Sequence, residues 1–370
     1  MSTKLGNFSP MDRQIINRPR KVLLLYHGGT IGMQPDEQGS LRPVRGFLLE
    51  QLRKMEEIHK PGMPGYDVIE FEEIVDSSDV TAADWRLMCQ YIEQHYSSYD
   101  GFVIIHGTDT MAYSASALSF MLENLSKPVI FVGAQLPFGE VHSDARRNIA
   151  VAVLLAGLCN IPEVCIFFND RLYRGNRAVK IDNASVAAFD TPNFPALATL
   201  GTDIELNENV MLDSPKGRFQ IHPEMNDEIL VLRLVPGFAD LKFISPDGVK
   251  GVILLLYGTG NAPSRRKTLL DWVKKMVDAG VIVVIVSQCL KGRVDLHKYA
   301  VGRELADCGV IPGADMTCEA AVAKLAYLLA RNLSKEQIIA AMQQNLRGEL
   351  TPHVETSKLF KTFAGLPMRL

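Results

Sequence analysis

One stretch, Lys21–Gly32 (KVLLLYHGGTIG), restricts the architecture more than any other. Five apolar residues, Val22 to Tyr26, run directly into His27-Gly28-Gly29-Thr30. A continuous apolar run bounded by glycines predicts a central strand of a parallel sheet, buried on both faces. Gly28 and Gly29 let the backbone turn sharply and approach a ligand closely. Thr30 then stands just past the carboxyl end of a strand, where open α/β sheets hold their ligands. A second stretch repeats the pattern, with GFVII (101–105) followed by His106-Gly107-Thr108-Asp109-Thr110. Two such junctions imply two hydroxyls facing one crevice.

Strand and helix patterns alternate along the rest of the chain. Residues 33–45 are polar, carry Pro35, Gly39 and Pro43, and read as a loop long enough to act as a lid over Thr30. Spacing predicts a helix over 47–58 and a strand over 67–71 that ends near Val75-Asp76-Ser77-Ser78-Asp79. Thr81 and Asp84 form a variant capping box for a helix running to Tyr96. Further helices are expected over 111–125 and 143–157, with strands over 129–132 and 164–168. The strand at 129–132 ends in Gly133-Ala134-Gln135, and a basic, polar segment fills 169–180. Residues 189–225 show little periodicity and read as an interdomain connection. Strands are then predicted over 229–235, 252–257 and 281–286. Helices are predicted from about Arg265, near 299–307 and 317–331, and over 335–344.

This order predicts an α/β fold: a larger N-terminal doubly wound, mostly parallel sheet plus a smaller C-terminal α/β domain. The expected boundaries are a polar tail over 1–20, the first domain over 21–212, a linker over 213–228 and the second domain over 229–370. A chain of 370 residues exceeds one ordinary core, which agrees with two domains. The formal net charge of −3 is spread without a basic stripe, so no nucleic-acid partner is expected. Six cysteines form no CxxC pair and read as packed, reduced thiols. The histidines show no HExxH or other metal-ligand spacing. The first twenty residues lack an apolar signal core, and although they carry Arg13, Arg18 and Arg20, Asp12 argues against a transit peptide. No stretch approaches the ~18 apolar residues of a membrane span. A soluble, cytoplasmic protein is expected.

Each signal has a plainer meaning. HGGTIG lacks the G-x-G-x-x-G spacing and the later acidic residue of a dinucleotide site. A lone threonine at a strand end is more often a helix cap than a nucleophile. Two of them, with Ser77, Ser78 and Asp109 at other strand ends, shift the balance toward chemistry. A hydroxyl nucleophile needs a base or a lowered pKa. His27 and His106 are available, although packed or backbone-bonded histidines are the plainer reading. Lys180 is also available, since burial beside hydroxyls lets a lysine accept a proton. By position alone, Lys180, Arg171, Arg174 and Arg177 read as surface or interface charges, and the cysteines as core residues.

Taken together, YHGGTIGM (26–33), DSSD (76–79), GFVIIHGTDTMAYSASALSFMLENL (101–125), GAQLP (133–137), LYRGNRAVK (172–180), GNAP (260–263), GADMT (313–317) and NLRGELTP (345–352) resemble the type I, cytoplasmic-type L-asparaginases. The likeness covers about residues 21–352. It implies hydrolysis of the side-chain amide of L-asparagine to L-aspartate and ammonia by double displacement, with no cofactor. Thr30 falls on the family's nucleophile and would form a β-acyl-enzyme. Thr108, Asp109 and Lys180 fall on the second triad: Lys180 would help deprotonate a hydroxyl or a water, and Asp109 would also hold the substrate α-ammonium. Asp76, Ser77 and Ser78 fall on the segment that grips the α-carboxylate and amine. Backbone N–H groups near Gly29, Thr108 or Ala134 are the natural oxyanion donors. The resemblance also implies a homotetramer built as a dimer of dimers, with Asn261 reaching into a partner's site.

The sequence departs from the family pattern in three places. His27 stands where a threonine often precedes the Gly-Gly. Ser40 stands where many members place a tyrosine in the loop after the nucleophile, which leaves the activation of Thr30 open. The allosteric asparagine site of some bacterial members uses an arginine, a threonine and a cysteine. Cys289 is retained, while Leu255 and Val179 replace the other two. Weak or absent asparagine allostery is expected. The alternatives are a related amidase acting on glutamine or another amide, including the amide-releasing subunit of a tRNA amidotransferase, and a silent asparagine-binding regulator. Such a subunit would need an extra partner-binding domain, and a silent regulator need not keep Thr30, Thr108, Asp109 and Lys180.

Overall fold

The computed structural model describes residues 19–352 apart from 238–240, 242 and 264–266. The polar tail before residue 19, the expected helix start at Arg265 and the end of the second domain beyond 352 lie outside the described residues.

The KVLLLYHG run forms β1 (Lys21–Gly28), flanked in register by β4 (Gly65–Val75) and β5 (Gly101–Ile105), both parallel to it. β7 (Val129–Val132) and β8 (Val164–Phe168) continue the parallel order beyond β5. Alternate residues of β1 enter different cores: Leu23 and Leu25 on one face, Val22, Leu24 and Tyr26 on the other. That is why the run shows no polar alternation. Each such leucine contributes roughly 1.5–3 kcal/mol by leaving water. α1 (Phe47–Lys54) and α4 (Ala145–Leu158) cover one face, and α2 (Ala82–His95) and α3 (Met111–Met121) cover the other. The capping box forms, with the Asp84 carboxylate accepting both the backbone N–H and the hydroxyl of Thr81.

Departures from expectation fall in segments too short to carry a periodic signal. The residues after Thr30 are a hairpin of β2 (Met33–Pro35) and β3 (Leu41–Pro43), not an irregular loop. Asp36 fastens its turn by accepting the N–H groups of Gln38 and Ser40 and the Arg42 guanidinium. The predicted helix over 111–125 ends at Met121. There β6 (Leu122–Glu123) pairs with β14 (Gln220–Ile221), and Asn124 adopts φ 54°. The basic segment after β8 folds back as β9 (Arg171–Arg174), antiparallel to β8, through Asn169 and Asp170 at φ 45° and 61°. Asparagine and aspartate tolerate that left-handed geometry best among non-glycine residues. β10 (Val179–Lys180) then pairs with β11 (Phe189–Asp190). Part of the stretch read as an interdomain connection belongs to the large sheet, where β12 (Ala198–Leu200) and β13 (Ile204–Leu206) extend the edge beyond β9.

The C-terminal sheet is parallel throughout, in the order β15 (Ile229–Arg233), β16 (Gly251–Leu256), β17 (Ile282–Ser287) and β18 (Ile311–Pro312). α5 (Lys267–Asp278) and α6 (Ala300–Asp307) lie on one side. α7 (Cys318–Leu329) packs against α3, so one apolar core runs from Phe120 of the first domain to Ile253 and Val284 of the second. α8 (Lys335–Gln343) leads into the NLRGELTP segment.

Of the surface and interface readings, Arg174 and Arg177 take the second: both are buried at the domain junction. Arg174 grips Glu163, and Arg177 donates to Asp315 (2.9 Å) while both arginines also donate to the Gly348 carbonyl. Their partners lie 11 and 138 residues away, beyond any local pattern.

Candidate active site

Parallel pairing sets the carboxyl ends of β4, β1 and β5 side by side, with Gly28 opposite Val75 and Tyr26 opposite Ile105. Glycine is required where the ensuing turns touch. Gly29 has φ 100°, and a Cβ there would fall 2.5 Å from Gly107 Cα. A Cβ on Gly107 would in turn fall 2.6 Å from the Ser77 side chain. The close approach of Gly29 to Gly107, and of Gly107 to the Ser77 side chain, thus brings together the turns that carry Thr30, Ser77 and Thr108. Thr30 opens a 3₁₀ turn, is half-buried, and its hydroxyl makes no hydrogen bond among the described residues.

Lys180 arrives from β10. Its ammonium donates to Thr108 Oγ1 at 2.8 Å and to Asp109 Oδ1 at 2.6 Å. The lysine side chain is 17% exposed and Asp109 66%, so the pair opens to solvent on the carboxylate side. Thr108 Oγ1 passes its own proton toward Gln135 Oε1 at 3.0 Å. Gln135 is the residue missed from sequence, although it follows the end of β7 at the level where Thr108 follows β5. The Asp144 carboxylate accepts the N–H groups of Gln135 and Leu136 and the Asn148 amide, which holds this turn, and Ala134 within it is buried.

In the third turn, Asp76 Oδ1 accepts the N–H and the hydroxyl of Ser78, both at 2.9 Å. Ser77 is buried, and its carbonyl accepts the Thr110 hydroxyl at 2.6 Å. Asp76 and Ser78 remain exposed beside it.

The two histidines lie beneath these turns with stacked rings 5.5 Å apart. His106 Nδ1 donates to the Gly107 carbonyl, which leaves Nε2 to accept from the Ser114 hydroxyl, itself the acceptor for Trp85 Nε1. Burial pushes the His106 pKa down to about 4, against the backbone bond that favours its charged form. Burial also lowers His27, although its 3.0 Å contact with Asp84 pulls the other way. Both fit packed, neutral supports.

Asn261 and Cys289 lie apart, in the turns that follow β16 and β17. Asn261 Oδ1 accepts the Ala262 N–H, and the Cys289 N–H donates to Ser287. No hydrogen bond among the described residues joins either to the crevice. No group of three or more potential metal ligands gathers among the described residues, and no helix there is long and apolar enough to cross a membrane.

Residues 21–212 match the family described as "Asparaginase, N-terminal", and residues 220–342 match the "Glutaminase/Asparaginase C-terminal domain". L-asparaginase 1 of Escherichia coli (strain K12) is 47% identical over 335 residues, which covers 90% of this chain and 98% of the relative. The 60 kDa lysophospholipase of Mus musculus is 42% identical, covering 90% of this chain and 63% of that longer protein. The crystal structure of L-asparaginase I from Vibrio cholerae superposes with a TM-score of 0.82 at 45% identity, covering 90% of this chain and all of the other. By its two matched domains and by these relatives, the chain belongs to the asparaginase family.

Proposed function

We propose that this protein hydrolyses L-asparagine to L-aspartate and ammonia by double displacement, with Thr30 as nucleophile. One observation carries the mechanism: Lys180 reaches both Thr108 and Asp109 at the crevice where Thr30 offers an uncommitted hydroxyl. The E. coli relative, matched over nearly its whole length, supports the substrate.

In this reading the Thr30 oxygen attacks the side-chain amide carbon. The negative oxygen that develops is held by backbone N–H groups near Gly29, Thr108 or Ala134, which are fixed before the reaction begins. The hydroxyl proton passes to the leaving nitrogen, ammonia departs and a β-acyl-Thr30 ester remains. A water held at Thr108 then attacks the ester; Lys180 helps remove its proton, which passes to the departing Thr30 oxygen and restores the hydroxyl. Asp109, open to solvent, takes the substrate α-ammonium, and the Asp76-Ser77-Ser78 turn takes the α-carboxylate and amine. The hairpin over 33–43 follows directly on Thr30 and serves as the lid. No cofactor enters these steps. The assembly is a cytoplasmic homotetramer, a dimer of dimers in which Asn261 completes a partner's site, and the domains divide at the 213–228 linker.

Ammonia release from L-asparagine and from L-glutamine, by the wild-type chain and by Thr30→Ala, tests this. Release from asparagine, abolished by the substitution, is expected. Unchanged release by Thr30→Ala would remove the nucleophile assignment. Asparagine binding without turnover by the wild type would instead favour a silent regulator.

A further inference from the structure

A pocket of about 320 Å³ opens at the amino end of the large sheet, away from the crevice, and none of Thr30, Thr108, Asp109 or Lys180 lines it. Its apolar wall comes from Leu125, Val164 and Leu212 of the first domain and Leu346 of the second. Two arginines, Arg174 and Arg347, line the same space.

The two arginines differ in their commitments. Arg174 is neutralised by Glu163 through Nε and Nη2 and donates further to the carbonyls of Val210 and Gly348. Arg347 donates through Nη1 to the Leu346 carbonyl, while its nearest carboxylate, Glu123, lies 3.8 Å from Nη2 and also engages His222. Arg347 Nε is buried and has no hydrogen-bond partner among the described residues. That nitrogen is closed to solvent, so a ligand would meet Arg347 at its partly exposed Nη2 end, where Glu123 at 3.8 Å is too far for a hydrogen bond.

The backbone beneath Arg347 is fixed. Glu349 accepts the N–H groups of Leu346 and Arg347, Asn176 donates to the Arg347 carbonyl, and Lys324 pairs with Glu349 out of water. The point from which the Arg347 side chain departs is therefore set before any ligand arrives, which lowers part of the ordering cost of binding. Glu163 and Asp213 also line the pocket and disfavour a multiply charged anion. We propose that this pocket binds a small monocarboxylate with a short hydrocarbon chain, the carboxylate on Arg347 and the chain against Leu125, Val164, Leu212 and Leu346.

Isothermal titration of the full chain with hexanoate, hexanamide and inorganic phosphate tests the assignment. Hexanoate binding at one site per chain is expected. Hexanamide on the wild type, and hexanoate on Arg347→Met, should bind about tenfold or more weakly, for loss of a charge-assisted bond. Leu212→Trp, which fills the space and leaves the arginine, should also abolish hexanoate binding and keeps the test decisive if Arg347→Met fails to fold. Thr30→Ala should bind hexanoate as the wild type does, and L-aspartate should not displace it. Absence of hexanoate binding, binding by both pocket variants as tight as the wild type's, displacement by L-aspartate, or binding of phosphate alone would each overturn the proposal.

Discussion

Lys180 reaches Thr108 and Asp109 because the two-residue strand β10 delivers it there, and no pattern in residues 169–180 announces that placement. Its motif was legible only beside the strand-to-Gly-Thr junctions, which mark their own chemistry. Gln135 was not legible, because a glutamine after a strand is an ordinary turn residue until its partner Thr108 is known. The histidines read correctly as packed groups, and their packing has a measurable consequence. His106 titrates near 4 when folded, well below the ordinary 6.5, so the unfolded chain binds the extra proton first as pH falls. Stability contributed by neutral His106 is complete above pH 6.5 and is lost as pH falls toward 4. By pH 4.5 the loss should reach about 2–3 kcal/mol. Urea midpoints of the wild type and His106→Asn at pH 7 and 4.5 check this. The variant starts less stable and should lose less between the two conditions; an equal loss would assign the acid sensitivity elsewhere.

At the scale of elements, strands buried on both faces were readable because five or more apolar residues in a row leave few alternatives. The β2–β3 hairpin and the β12–β13 edge were not, since strands of three residues show no alternation, and what specifies them is turn chemistry and a neighbouring edge. In the hairpin that chemistry is Asp36, whose carboxyl is held below the ordinary carboxylate range chiefly by the Ser40 N–H. Asp36→Ala should loosen the segment that follows Thr30 while leaving the crevice intact. KM for asparagine should rise by about three- to tenfold with kcat nearly unchanged, as for a closing element outside the chemistry. Steady-state kinetics separate the two constants, and a fall in kcat alone would show that the hairpin holds Thr30 itself.

At the scale of the molecule, the two domains were legible from length and from the return of strand–helix alternation, while the cement between them was not. Arg177 and Asp315 are 138 residues apart in sequence and both buried. Burial would raise the Asp315 pKa, but hydrogen bonds from Thr351 and the Arg177 charge hold it below the ordinary range. Asp315→Asn leaves the guanidinium buried without its counter-charge and should cost about 3–5 kcal/mol of unfolding free energy. Denaturant titration measures this; a cost below about 1 kcal/mol would mean that water reaches Arg177 when the pair is broken.

Regulation belongs to the same scale, because an effector site built from both domains would couple them. The three positions that the family resemblance assigns to such a site occupy different elements: Val179 is buried on β10, Leu255 is half-buried on β16, and Cys289 is exposed after β17. Only the cysteine retains a polar group. An asparagine α-carboxylate placed there would meet a leucine where the allosteric relatives offer an arginine, forfeiting about 1.5–3 kcal/mol of charge-assisted bonding. That is roughly 10- to 150-fold in affinity, which moves effector binding beyond the substrate range in which a sigmoid could be seen. Val179 also lacks the hydroxyl that a threonine would offer one residue before Lys180. The rate should therefore rise hyperbolically with asparagine, with a Hill coefficient of about 1, since a ligand without differential affinity for two states shifts neither. A sigmoidal curve would mean that a different set of residues binds the effector, and Leu255→Arg, which should then leave the curve unchanged, would identify that case.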